Sequence, residues 1–197
     1  MESDRNRQSG LSDGTIELVV PSLERLPHYA VALEQGWSPN NLRDVSGDQL
    51  AAIRANPAAF LVSLDPPEGG TVTLGDGRVV PRLPGPVFWI WDGEFCGSIS
   101  LRYVPGTEEL PPHVSGHIGY AVVPWKRRRG YATRALALVL PIAHANGLKR
   151  VRIDCDADNI ASYRVIEANS GALAETRPDA DDPARMRRIY WVDTAAV

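Results

Sequence analysis

The chain is poor in sulfur: two cysteines, Cys96 and Cys155, and two methionines in 197 residues. Two cysteines build no disulfide framework, so a reducing compartment is expected. No apolar run approaches the roughly 20 residues that cross a bilayer. The opening residues are polar and charged, without the apolar centre of a secretory signal. A cytoplasmic protein with no membrane partner is the expectation. Positive charge is not in excess either: 21 Lys and Arg stand against 24 Asp and Glu, a formal charge of -3. Domains that work mainly on nucleic acid are usually strongly basic, so no nucleic-acid partner is expected. Two phosphate-binding signatures are also missing, the Gly-Lys-Ser/Thr of a P-loop and the G-x-G-x-x-G of a dinucleotide fold.

What is present is ordinary globular material, 44% hydrophobic and 23% charged, long enough to bury a sizeable core without staples. Residues 1–13 are patternless and read as a loose tail, leaving one domain over 14–197 with no internal repeat or linker. Thr15 to Val20 reads as a strand stopped by Pro21, and Ser22 is placed to cap a helix running to Gln35. Ser46-Gly47-Asp48-Gln49 has the form of a capping box for a second helix, which Asn56-Pro57 should stop. Residues 65–86, rich in proline and glycine, read as an insertion carrying a small hairpin around Gly75-Asp76-Gly77. A stronger hairpin follows, Val87 to Trp91 and Phe95 to Tyr103 joined through Asp92-Gly93-Glu94. Ser115 to Val123 reads as a strand. Then Ala132, Leu136, Val139, Leu140 and Ala143 recur at helical spacing up to Gly147, with Pro141 expected to kink the helix. Val151 to Asp154 is a strand, Asn159 caps a short helix, and Ala172 to Arg177 pairs with Met186 to Val192 around an acidic loop. These elements make a mixed α/β domain.

The most informative stretch joins strand to helix: Val122-Val123-Pro124-Trp125-Lys126-Arg127-Arg128-Arg129-Gly130-Tyr131-Ala132-Thr133. Such a junction leaves several backbone N–H groups unpaired, where the helix dipole adds partial positive charge. That is equipment for holding a pyrophosphate. The basic run alone is equally what a solvated surface patch or a weak nucleic-acid patch would show. Gly130, which permits close backbone approach, and the gapless strand–loop–helix order favour the anion site.

The spacing Arg127-x-x-Gly130-x-Ala132 resembles the acyl-CoA pyrophosphate loop of the GNAT N-acetyltransferase superfamily. The resemblance covers roughly His113 to Ala174. His117-Ile118-Gly119-Tyr120-Ala121-Val122-Val123-Pro124 looks like the strand before the loop, and Asn159-Ile160-Ala161-Ser162 like the second family motif. It implies a mixed, mostly antiparallel central sheet flanked by helices and splayed between two central strands. It also implies acetyl-CoA as cosubstrate, no metal, and transfer of the acetyl group to a primary amine by direct attack in a ternary complex. By resemblance Arg127 and the amides of Arg128, Arg129, Gly130, Tyr131, Ala132 and Thr133 hold the pyrophosphate. Val122 and Val123 hold the pantetheine, and Asn159 and Ser162 lie beside the cofactor arm and thioester. A homodimer is compatible with the family pattern.

The chemistry needs a neutral amine, a polarised thioester carbonyl and a proton for the departing thiolate. The resemblance assigns the carbonyl to a backbone N–H from Val123 or a neighbour. His117 is the candidate base, because many relatives carry glutamate there and an imidazole titrates near pH 6.5. Alternation places it on one face with Gly119, Ala121 and Val123; a structural histidine is the alternative. His113, Glu108 and Glu109 are lesser candidates. Many relatives supply the thiolate's proton from a tyrosine seven residues after the motif asparagine. Here that residue is Ile166, and Ser162 is the candidate instead; the alternative is a first-turn serine bonded to backbone, with water protonating the thiolate. The departure keeps open a rival function, an acyl-CoA-binding module without turnover. Cys155 reads as a buried small residue, and Asp154, Asp156 and Asp158 as a solvated acidic group. The small-molecule or peptide amine acceptor has no readable signature.

Overall fold

Proline and asparagine set the entry to the N-terminal helices. A computed structural model describes residues 16–40, 43–66, 69–73, 77–179 and 182–195 of the chain. The expected tail, Thr15 and the tip of the small hairpin at 74–76 lie outside these residues. After strand β1 (Glu17–Val19), helix α1 (Leu26–Glu34) starts with Pro27 in its first turn, where a missing N–H costs nothing. Helix α2 (Ser46–Ala55) is not entered through the expected capping box. Ser46 is already helical, and its amide donates to Asp44 Oδ1 at 2.9 Å. Asn56-Pro57 ends α2 but also starts α3 (Pro57–Leu64): Asn56 Oδ1 accepts from the Ala59 amide at 3.0 Å.

Strands β2 (Thr71–Thr73) and β3 (Val79–Pro81) pair as a small antiparallel hairpin. The principal sheet has the order β1-β4-β5-β6, with β4 at Val87–Trp91, β5 at Phe95–Leu101 and β6 at Ile118–Val122. A second sheet has the order β7-β9-β8, with β7 at Arg150–Asp156, β8 at Ala172–Pro178 and β9 at Met186–Asp193. Every pairing within both sheets is antiparallel.

Between the sheets lies helix α4 (Tyr131–Ala145), followed after β7 by α5 (Ile160–Glu167). Pro141 does not end α4: it lies on the exposed side, where water can take the carbonyl it leaves unpaired. The buried face of α4 presents Ala135, Leu136, Val139, Leu140 and Ala143. These pack in one core with Ile99 and Leu101 of β5, Ile118 of β6, Val151 and Ile153 of β7, and Tyr190 and Val192 of β9. The two sheets separate, yet they share one core beneath α4. A second core, with Tyr29, Leu33 and Trp37 against Trp89, Phe95, Ala121 and Val123, fixes α1–α3 to the other face of the principal sheet.

Candidate active site

Two backbone features converge at the C-terminal end of β6. The first is the loop. The chain makes a 3-10 turn over Pro124–Lys126, then passes through Arg128 at φ +62° and Gly130 at φ +77° before α4 begins. Glycine adopts that conformation freely, whereas arginine does so at about 1 kcal/mol. Arg134 is the first amide to bond backward, to the Gly130 carbonyl at 3.0 Å, and no side chain caps the helix. Among the described residues, nothing in the protein accepts from the amides of Arg128, Arg129, Gly130, Tyr131, Ala132 and Thr133. A Cβ placed on Gly130 would meet nothing within 4 Å, so open space lies before them. A diphosphate fits this arrangement: donors point outward at the positive end of a 15-residue helix.

Lys126 is not part of that cationic surface. It is buried, and its Nζ lies 2.7 and 2.9 Å from the carboxylate oxygens of Asp92, which also accepts from the Tyr131 hydroxyl at 2.6 Å. Asp92, on the β4–β5 turn, thus pins both ends of the loop. Burial alone would raise its carboxyl, but the bonds from Lys126 and Tyr131 prevail and hold it at about 2. Arg127 folds back, its Nε donating to the Val122 carbonyl at 3.2 Å.

The second feature is the parting of β6 from β7. They touch at one place. The His117 amide donates to the Arg152 carbonyl, and the Arg152 amide donates to His117 Nδ1, at 2.6 and 2.8 Å. Gly116 permits the contact, since a Cβ there would lie 2.9 Å from the Arg152 carbonyl oxygen. Beyond it no ladder joins the strands. On β6 the residues that bond to β5 alternate. Val123 donates to the Cys96 carbonyl at 3.0 Å, and the His117 carbonyl accepts from Arg102 at 2.9 Å. Alternation therefore turns the backbone groups of Ile118, Tyr120 and Val122 toward the gap.

Comparison with known proteins fits this geometry. Residues 80–170 match the family model of the acetyltransferase (GNAT) domain. Over those residues the chain is similar to that domain. No curated protein sequence matches it. Among solved structures, the microcin C7 self-immunity acetyltransferase MccE, in complex with acetyl-CoA and AMP, aligns with TM-score 0.60 and 15% identity, covering 94% of this chain and 97% of that one. The Salmonella typhimurium acetyltransferase that modifies the N-terminal serine of ribosomal protein L7/L12 gives 0.59 and 17%, covering 93% and 98%. The RimL L7/L12 acetyltransferase in complex with coenzyme A gives 0.59 and 16%, covering 93% and 97%. At such identities the likeness concerns the fold.

Within this fold the expected residues fall into three settings. The loop amides are together and unengaged, as described above. Of the two valines expected at the pantetheine, Val123 has its amide committed to β5, and Val122 is the one whose backbone faces the gap. Asn159 and Ser162 meet across the first turn of α5, Asn159 Oδ1 accepting from the Ser162 amide at 3.0 Å. Ser162 Oγ lies 3.0 Å from the Tyr120 hydroxyl, which joins α5 to β6 across the parting. Ile166 is fully buried and aliphatic, so no hydroxyl stands in its place. Cys155 is buried, and burial pushes its thiol up.

His117 is buried completely. Its Nδ1 lone pair receives the Arg152 amide, so the neutral ring carries its proton on Nε2, which has no partner among the described residues. Burial first, then the Arg152 cation, push the imidazole down to about 4. In this setting the ring has no vacant lone pair. Glu108 pairs with Arg150 at 2.9 Å and lines a cleft of about 490 Å³ with Arg152 and Trp191. Asp154 and Asp156 are not a solvated group. They lie on β7, Asp154 bonded to Arg152 at 3.0 Å and Asp156 to Arg185 and Arg187 at 2.7 and 2.8 Å. Among the described residues no cluster could hold a metal ion, and no helix is long and apolar enough to cross a membrane.

Asp92 and Tyr120 escape a reading of the sequence. An aspartate before glycine signals a turn first, and a tyrosine in a strand signals packing. Only the fold brings Asp92 to Lys126 or Tyr120 to Ser162.

Proposed function

We propose that the protein transfers an acetyl group from acetyl-CoA to a primary amine by direct attack in a ternary complex. The observation that carries this reading is the row of unengaged amides from Arg128 to Thr133, at the positive end of α4 and beside two strands that part. Those amides hold the diphosphate, and the Val122 carbonyl, which also accepts from Arg127 Nε at 3.2 Å, receives a pantetheine amide. Bound there, acetyl-CoA supplies an acetyl thioester to the gap.

The chain's own residues then have three tasks. A backbone N–H turned into the gap, for which Val122 is best placed, polarises the acyl carbonyl. Ser162, its amide tied to Asn159 and its hydroxyl beside Tyr120, gives a proton to the departing sulfur. The face of Gly119 leaves room for the amine. With the His117 Nδ1 lone pair engaged, the amine loses its proton through water, and His117 holds β6 to β7 where they touch. The acceptor is a small-molecule or peptide amine, and the reducing cytoplasm, where both free thiols persist, is the proposed location.

Support for acetyl-CoA comes from two of the similar structures, MccE in complex with acetyl-CoA and AMP and RimL in complex with coenzyme A. The test combines calorimetric titration with acetyl-CoA and detection of free thiol over a panel of amines. Binding with thiol release for at least one amine is expected. Binding without release across the panel would leave an acyl-CoA-binding module, and absence of binding would end both readings.

A further inference from the structure

Ser98, Ser100 and Arg102 lie across from Ala121, Gly119 and His117 and share with them the sheet face turned away from α4. The opposite face of the same strands is dry, with Ile99, Leu101 and Ile118 buried in the α4 core. On this face Ser98, Ser100, Gly119 and Arg102 are only half-buried. The second core covers its far end, over Trp89, Phe95, Ala121 and Val123. What remains is a floor of small polar groups beside the parting, with one guanidinium on it.

That guanidinium is held in place but not neutralised. Arg102 Nε donates to the Gly116 carbonyl at 3.0 Å, the single hydrogen bond of its side chain among the described residues. One terminal nitrogen would lie 3.0 Å from a Cβ at residue 119, so glycine there makes room for it over the floor. The acid that acts on it through space, Asp154, is already bonded to Arg152 at 3.0 Å. Arg82, the next cation, is engaged by the Ser63 and Leu64 carbonyls at the end of α3. A partly desolvated guanidinium without a carboxylate is unfavourable, and an anionic ligand would relieve it by bidentate bonding.

We propose that the amine acceptor carries a carboxylate or phosphate, and that Arg102 binds that group. This rests on the transferase reading given above. Gly119 and Val122 are three residues apart on an extended strand, about 10 Å. The anion therefore sits several bonds from the reacting amine, as in an acidic peptide or an aminoalkyl phosphate.

The test compares matched acceptors: short peptides with a free N-terminus followed by Glu or Gln, and aminoalkyl phosphates against the corresponding amino alcohols. The wild-type protein should prefer one charged series in kcat/KM by at least about 10-fold, and which series it is identifies the anion. In Arg102→Gln that preference should collapse by about 10- to 100-fold through KM, with the Kd for acetyl-CoA held, and Arg102→Lys should restore part of it. No wild-type preference, or equal loss on charged and neutral acceptors, overturns the proposal. Should acetyl-CoA bind but no amine react, the transferase reading fails, and the anion site is then decided by titrating glutarate and inorganic phosphate into the CoA-loaded protein. Binding that Arg102→Gln abolishes keeps the site, and absent or equal binding removes it.

Discussion

The loop after β6 and the floor beside β6 both present positive charge to a ligand, but they make it from different material. In the loop the donors are backbone amides, oriented by two left-handed residues and the start of α4. On the floor the donor is a side chain, Arg102, whose position depends on a glycine in the neighbouring strand and a carbonyl from the next loop. A backbone site tolerates changes of side chain and demands a particular local path. A side-chain site tolerates changes of path and fails with one residue. The first suits the part of a ligand that never varies, the second the part that does.

Gly130→Asp should break the loop side of this comparison most severely. The added carboxylate faces open space, so the fold should survive apart from strain at φ +77°. Acetyl-CoA affinity measured by calorimetry should fall by about 1,000-fold, since like-charge contact costs several kcal/mol. Unaltered affinity would remove the diphosphate from this loop. Ser162→Ala comes next. Loss of a positioned proton donor should lower kcat by about 100-fold with cofactor affinity held, and Tyr120→Phe should reproduce a smaller part by freeing the Ser162 hydroxyl. Wild-type kcat in Ser162→Ala would leave water as the donor.

This division also explains how much was legible in the sequence. Loop order, glycine position and the helix that follows are local properties, and the sequence displays them in twelve consecutive residues. The strands, the Asn159 cap and the hairpins are local too. The parting of β6 from β7 arises from contacts between residues 35 apart, such as His117 with Arg152, and no periodicity reports them. The same holds for Arg102, whose meaning lies in what it fails to meet. The basic run misled in one respect: three of its members face solvent, while Lys126 points inward to Asp92.

That inward lysine gives the next prediction. Asp92→Asn removes the closer of the two carboxylates on buried Lys126 and leaves it only the exposed Glu94 at 3.2 Å, a change that should cost about 1–3 kcal/mol. The midpoint of thermal unfolding should fall, and acetyl-CoA affinity should weaken by about 10-fold as the loop loses its anchor to the β4–β5 turn. In the wild type the Asp92 carboxyl is held below its unfolded value. Its contribution to stability is therefore complete above about pH 4 and lost as pH falls toward about 2. Arg127→Ala, by contrast, should leave the free energy of unfolding within about 0.5 kcal/mol, as surface substitutions do.

His117 sharpens the comparison at its least visible point, because its effect lies in pH dependence rather than activity. Its imidazole is pushed down to about 4 in the folded chain and titrates near 6.5 when unfolded. Between those values the unfolded state binds a proton that the folded state refuses, so stability should decline as pH drops from about 6.5 to about 4. The window lies above that of Asp92, and chemical denaturation across pH 4–8 separates the two. In His117→Asn the side-chain oxygen can still accept from the Arg152 amide, but nothing titrates, so the decline over this window should flatten. Turnover at pH 7–8 should stay within about 10-fold of wild type if the ring only joins β6 to β7, whereas a general base removed at this position would cost 100-fold or more. A flattened stability profile together with such a loss would mean that the ring releases its bond to Arg152 when the acceptor arrives, and the side-chain half of the site would then include His117 as well as Arg102.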